Sequence, residues 1–282
     1  MLVQTKVSYV SIERFCRDAM ELVNSRKFRM ELDSASLAKR AGKSEGEVLA
    51  TIAAVKKASV PLRKMVTVAE GKKAKKYTVA RLAVGPITTH YGKFNMFYIH
   101  VNDRWKVYEV LYKGLLDGNM MPKFDSKSIM MRIDSGCETG QKFGDLTCDC
   151  KWQLFNAMHA IDKHGAGMIV HIPAQEGRGL GITFKLGMLS LQSALGLNTV
   201  EASLLLAGNA DRRDYAGVVG VLKFFGLPKG ATINMLTNNP DKTRIFADNG
   251  YKVKSLKIEE ANPNSILRRH YEAKRRYLGH KL

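Results

Sequence analysis

The spacing of apolar residues changes twice along the chain, and those changes divide it. Residues 10–27 (VSIERFCRDAMELVNSRK) place Ile12, Phe15, Ala19, Met20 and Val23 at helical intervals. In LDSASLAKRAGKSEGEVLATIAAVKKA the spacing predicts a short helix from about Ala35, a break at Gly42, and a second helix from about Glu45 to Lys57. Ser34 and Ser44 are the expected N-caps. Two helices joined by a tight glycine turn have the outline of a helix-turn-helix. The stretch TVAEGKKAKKYTVARL reads as a hairpin with a basic tip at Lys72–Lys76, as in a winged helix. A small helical accessory or dimerisation domain fits the same pattern.

Around residues 77–90 the period becomes two. YTVARLAV, NMFYIHV, WKVYEVLY and IMMRI read as strands. GMIVHI (167–172) reads as a buried strand, followed by a glycine-rich loop and a helix to about Leu195. ATINML (231–236) is another strand. After it, Asn239 and Pro240 stand as N-cap and first residue of a helix over DKTRIFADNG, with Gly250 as its stop. YKVKSLKI is a last short strand. Strands first and strand–helix alternation later predict an α+β or α/β fold. The expected organisation is a mixed-sheet catalytic domain with flanking helices over 81–282. A small, mainly helical domain, winged-helix in one reading, precedes it over 1–80.

Composition narrows the class. The 282 residues are 45% hydrophobic and 25% charged, which is ordinary for a globular chain. No apolar run approaches the ~20 residues that span a bilayer. The start, MLVQTKVSYVSIERF, lacks the layout of a secretory signal, so a cytoplasmic protein without a membrane partner is expected. The 45 basic against 26 acidic residues give +19. Such a field attracts nucleic acid, anionic lipid or a phosphorylated substrate, and it serves equally as a solubility device. Through the helix pair, residues 1–80 are a candidate DNA reader.

Three of the four cysteines crowd into SGCETGQKFGDLTCDCKWQ as Cys137, Cys148 and Cys150, with Cys16 apart. Glycines at 136, 140 and 144 let Cys137 fold back onto the other two. Three thiolates would supply three zinc ligands and leave a fourth position for water, the layout of a catalytic zinc. Three buried or free cysteines have the same spacing, as does a structural zinc completed by His159 or His164.

Two further segments suit an anion. PAQEGRGLGITFK follows a strand and opens a helix, so Gly177, Gly179 and Gly181 allow close backbone approach and Arg178 adds a charged fork. Glu176 fits a guanine N–H edge or a metal better than an anion. In NADRRDYAGVVGVLKFFG, Asp211 is a candidate cap for a helix ending near Gly226, with Asp214 three residues on. Two arginines at a helix start oppose its dipole, which points to a functional reason for Arg212 or Arg213.

Together these blocks resemble the GTP cyclohydrolase II family, which opens GTP at the entry to riboflavin synthesis. The resemblance runs from about Thr88 to Leu282. It includes Cys137-x10-Cys148-x-Cys150, Gln153, QEGRGLG, TVEAS, NADRRDY, LTNNPDK and the ending Lys274-x-x-x-x-Gly279-His280. It implies one zinc per chain on the three cysteines, whose water attacks C8 of guanine and releases formate. It implies that Arg213 attacks the α-phosphate, with Asp211 as base, and expels pyrophosphate. Arg132, Ser135, Gln153, Glu176, Gly177, Arg178, Thr199, Thr237 and Lys242 match GTP-binding positions. Mg2+ is expected with the triphosphate, and a homodimer is the expected assembly.

Two departures bear on the product. The family's S-E-C is S-G-C here, with Gly136. The tyrosine of K-x-x-x-Y-x-L-Q is Leu189, and neighbouring Met188 has no hydroxyl either. That tyrosine assists proton handling in base hydrolysis. Pyrophosphate release is therefore expected intact, and the product is either the diamino-pyrimidine plus formate or an arrested formylamino-pyrimidine. A different class of reading makes the pocket a GTP sensor for a DNA-binding regulator.

Overall fold

Residues of alternating exposure pair into one sheet because each strand has an apolar face to bury. The computed structural model describes residues 33–124, 127–208, 211–239, 242–258, 261 and 263–280. The chain divides into two compact units, Met1–Val60 and Pro61–Leu282.

In the first unit, α1 (Ser34–Ala41) and α2 (Glu45–Ala58) flank Gly42, whose left-handed φ of 62° closes α1. Ser44 and Glu47 form the reciprocal cap of α2: the Ser44 amide donates to Glu47 Oε2 at 2.8 Å, and the Glu47 amide to Ser44 Oγ at 3.3 Å. The cap of α1 is Asp33, not Ser34. Its carboxylate accepts from the Ser36 amide at 2.6 Å, and Ser34 Oγ turns instead to Glu45. The helix expected over residues 10–27 lies outside the described residues.

The second unit holds β1 (Leu62–Glu70), β2 (Lys73–Thr89), β3 (Gly92–Val101), β4 (Asp103–Lys113), β5 (Ser128–Asp134), β6 (Gly167–His171), β7 (Thr232–Leu236) and β8 (Lys252–Leu256). Their order is β1-β2-β3-β4-β6-β5-β7-β8. The first four form an antiparallel meander, β4 pairs antiparallel with β6, and β6, β5, β7 and β8 are parallel. The mixed sheet with flanking helices fits the α/β expectation.

The division at residue 80 is corrected. β2 runs unbroken through it, and the hairpin at 62–80 is the outer edge of the large sheet rather than a wing of the small unit. Its local pattern is the same in either setting; only the pairing of β2 with β3 distinguishes them.

Besides a four-residue turn at Glu176–Gly179, six helices follow among the described residues: α3 (Cys150–His164), α4 (Ile182–Leu195), α5 (Thr199–Ala207), α6 (Ala216–Phe225), α7 (Arg244–Asp248) and α8 (Ser265–Leu278). On one sheet face Ala157, Met158 and Ile161 of α3 pack with Phe94 and Ile169. On the other, Val218, Leu222 and Phe225 of α6 pack with Phe97, Met131, Met168 and Val170. Two expected helix starts move. α6 begins at Ala216, after N-cap residue Tyr215, with the Ala216 amide donating to Asp214 Oδ1 at 2.9 Å, and Asp211 is engaged elsewhere. α7 begins at Arg244, past Asn239. Among the described residues no helix is long and apolar enough to cross a membrane.

The chain leaves β5 through α3 to β6 on one side, then returns through α6 to β7 on the other. That reversal opens a crevice at the carboxyl ends of neighbouring parallel strands, where ligands of open α/β sheets bind.

Candidate active site

Three strand ends deliver three loops to this crevice. β5 ends at Asp134, directly before Ser135, Gly136 and Cys137. Gly136 has φ 59°, and a Cβ there would lie 2.8 Å from Pro173 Cα. A glutamate there would be strained and would require the neighbouring backbone to shift. A single π-helical turn, Glu138–Lys142, then folds the chain back, and Cys148 and Cys150 lie at the start of α3. The three sulfurs all lie within 4.8 Å of one another, with Cys137 and Cys148 3.7 Å apart. A Cβ on Gly140 would come 2.6 Å from Cys148 Sγ and 3.2 Å from Cys137 Sγ, so glycine keeps the space between the thiols clear.

Among the described residues no histidine joins this group; His164 instead meets the Ala166 carbonyl at 2.8 Å. Hydrogen bonds from Cys148 and Cys150 hold the Cys137 thiol well below its ordinary range, and the bond to Cys137 pushes the other two up. Three soft donors this close together are a set that a thiophilic divalent cation would complete by displacing their protons.

Asp134 ties the thiol loop to the cationic side. Its carboxylate accepts from His171 Nδ1 at 2.7 Å, Gln141 Nε2 at 2.8 Å, the Gly136 amide at 3.3 Å and Arg132 Nη2 at 3.3 Å. Gln141 in turn accepts from the Cys137 amide at 3.1 Å. Arg132 also donates to Gln153 Oε1 at 3.0 Å, and Gln153 donates to Asp149 Oδ2 at 2.7 Å. Burial pushes the Asp134 carboxyl up, but His171 and Arg132 pull it further down, below the usual range. Its contribution to stability is thus complete above the unfolded-state pKa and is lost only as pH falls toward the lower folded value. Asp134→Ala would leave Arg132 buried without this partner. We expect a loss of about 3 kcal/mol, read from denaturant unfolding at neutral pH; a midpoint equal to the parent's would remove Asp134 from this role.

The loop after β6 holds Glu176, Gly177 and Arg178. Gly177 and Arg178 have φ of 58° and 60°, a conformation that costs a non-glycine residue strain. Held there, the Arg178 carbonyl accepts from the Arg212 amide at 2.9 Å, and its guanidinium donates to Thr199 Oγ1 at 3.2 Å. Burial and then the Arg213 charge bring the Arg178 guanidinium down to about 10. Gly179 lets the loop touch the Arg212 backbone, which a Cβ would meet at 3.0 Å. Buried Glu176 accepts from the amides of Glu138 and Gly177.

Asp211 grips Arg213 rather than a helix terminus. Arg213 Nε donates to Asp211 Oδ1 at 2.9 Å, Nη2 bonds Oδ2, and Nη1 reaches Ser135 Oγ at 3.4 Å. Burial disfavours both charges, yet the pairing prevails: Asp211 lies below and Arg213 above its ordinary range. After β7, Thr237 Oγ1 accepts from the Asn239 amide at 3.0 Å. Buried Lys242 donates to the Ile133 carbonyl at 2.7 Å. Burial, then Arg132 and Arg213, hold its ammonium well below the usual range.

One cleft gathers the three cysteines with Arg132, Ser135, Gln153, Glu176, Gly177, Arg178, Thr199, Arg213, Thr237 and Lys242. Asp211 stands behind Arg213, outside the lining. A family model described as GTP cyclohydrolase II matches residues 81–257, well over half of the chain. The chain belongs to the GTP cyclohydrolase II family. It is 34% identical over 195 residues to the riboflavin biosynthesis protein RibBA of Porphyromonas gingivalis, covering 69% of this chain and 45% of that one. Against the GTP cyclohydrolase-2 of Streptomyces coelicolor it is 34% identical over 184 residues, 65% of this chain and 78% of that one. Against that of Picrophilus torridus it is 32% identical over 204 residues, 72% and 97% of the two chains.

This family member carries cleft residues that its sequence did not single out. Lys185 of α4 reaches the thiol side; burial lowers its ammonium, but the three cysteines raise it above the usual range. Its place in the K-x-x-x-[Leu189]-x-L-Q segment was the available signal. α8 adds His270 and Lys274, and His280 follows just past its end, the last two belonging to the Lys274-x-x-x-x-Gly279-His280 ending already noted; Asp134 also lines the cleft. Leu189 does not line the cleft. Met188 does, and Leu189 faces an adjoining cavity.

Proposed function

We propose that this protein releases pyrophosphate from GTP and hydrolytically opens the imidazole ring of its guanine, giving formate and the diamino-pyrimidine that begins riboflavin synthesis. The observation that carries this reading is that the thiol cluster and Arg213, which Asp211 holds, line one cleft together with several further cations. Arg132, Arg178, Arg213 and Lys242 suit a triphosphate, which Mg2+ would accompany. The thiol end suits the base.

Cys137, Cys148 and Cys150 would hold one zinc per chain. When bound, zinc on three thiolates lowers the pKa of a water toward neutrality and so supplies the nucleophile for C8. The chain's own groups do the rest. Ser135 and Asp211 aim the Arg213 guanidinium at the α-phosphorus. A nitrogen of Arg213 bonds to phosphorus, the bond to pyrophosphate breaks with its electron pair on the leaving oxygen, and Asp211 takes the proton. The resting pair keeps that proton on Arg213, so its transfer accompanies bond formation, as the attached phosphoryl group makes the nitrogen acidic. Water then releases the nucleotide from Arg213.

Leu189 favours a second reading, arrest at the formylamino-pyrimidine, because it offers no hydroxyl. Product mass spectrometry and a formate assay on metal-replete protein with GTP and Mg2+ separate the two. The first reading expects one pyrophosphate and one formate per GTP. Formate far below pyrophosphate supports arrest, and unconsumed GTP overturns both.

A further inference from the structure

His270 is the group in the cleft whose geometry leaves a proton-transfer function to fill. It lies on α8 one turn before Lys274, so both reach the cleft from one helical face. Its neighbour Tyr271 donates to Asp149 Oδ2 at 2.8 Å, which pins this part of α8 to the residue between Cys148 and Cys150. His270 lines the same cleft as the three thiols. It also lines the adjoining cavity of about 270 Å3, together with Leu189, Thr147 and Thr199. The residue that lacks the expected hydroxyl and a histidine thus border one space.

The His270 Nε2 atom is buried and has no hydrogen-bond partner. A buried polar nitrogen left unpaired costs about 1–3 kcal/mol, a cost that a ligand or water in the cleft relieves. Burial, then the charges of Lys274, Lys185, Arg178 and His280, hold the imidazole well below its ordinary range, so it is neutral when the cleft is empty. A bound triphosphate opposes those cations and restores basicity to the ring.

We propose that His270 is the catalytic proton-transfer group for release of formate, in the place of the hydroxyl absent at Leu189. This rests on the proposed cyclohydrolase reading. In the step, a water oxygen bonds to the formyl carbon while Nε2 takes the water's proton. The carbon–nitrogen bond breaks, its electron pair stays on nitrogen, and the imidazolium returns the proton to that nitrogen. One water is consumed, an amine and formic acid leave, and the acid loses its proton to solvent. His270 ends as it began.

The test compares formate with pyrophosphate in metal-replete parent, His270→Gln and His270→Ala proteins given GTP and Mg2+. The ratio does not depend on how much protein is folded. In the parent it is near one. In both variants it falls by about 10²-fold or more, the scale of general acid–base assistance, and the formylamino-pyrimidine accumulates. Added imidazole raises the ratio in His270→Ala and leaves the parent unchanged, which a purely structural residue would not do. Unchanged ratios in the variants overturn the proposal while leaving the cyclohydrolase reading intact. So does a parent that releases pyrophosphate without formate. Equal loss of pyrophosphate and formate overturns it too, because His270 would then serve the whole site. A parent that consumes no GTP removes the underlying reading itself.

Discussion

In Cys148→Ser protein, metal content falls from one per chain to near zero and ring opening falls with it. Cys148 lies in contact with Cys137, and its sulfur borders the space that Gly140 leaves open. A serine hydroxyl is a hard, weakly acidic donor and does not replace a thiolate toward a soft cation. Loss of the Lewis acid removes several kcal/mol of stabilisation, on the order of 10³-fold in rate. Metal analysis of the purified variant and mass spectrometry of its products check this. Full metal content would sink the assignment of the thiol cluster, and unchanged ring opening without metal would sink its role in the reaction. Cys16→Ser serves as the control, with metal content expected to match the parent.

The second large effect is at the Asp211–Arg213 pair. Arg213→Lys keeps a positive charge but loses the planar fork that Asp211 and Ser135 hold from two sides. Its pyrophosphate release is expected to fall further than that of Asp211→Asn, for which about 10²–10⁴-fold is the scale of a lost general base. A coupled pyrophosphate assay measures both. If Arg213→Lys releases pyrophosphate near the parent rate, the arginine is a phosphate contact and not the attacking group. Opening of a ring already freed of pyrophosphate should proceed in both variants, since the thiol cluster is untouched.

The site was legible where chemistry depends on near neighbours in the chain. Cys148 and Cys150 are two residues apart, and the glycines around Cys137 announced a loop able to return to them. Gly177 and Arg178 adopt the left-handed conformation that a glycine-rich loop after a strand suggests. Helix starts were less legible. Asp211 has the chemistry of a cap, yet a guanidinium two residues away competes for the same oxygens and wins, and α6 begins later, with its Ala216 amide donating to Asp214.

The sequence by itself determined the strands that carry the site, the thiol triad and the glycine loop. Each rests on short-range periodicity or spacing, which the backbone converts to geometry without help from distant residues. Only the tertiary structure decided that the hairpin at 62–80 belongs to the large sheet, because a strand's partner is chosen by pairing across the fold. It also decided that Asp134 joins Arg132 to the thiol loop through His171 and Gln141. Leu189 turned from the cleft while Met188 entered it, a difference of about 100° around a helix that a motif alignment does not resolve. His270 lines the cleft from α8, which Tyr271 ties to Asp149. Links of that kind join residues remote in the chain through packing, and packing leaves no local period to read.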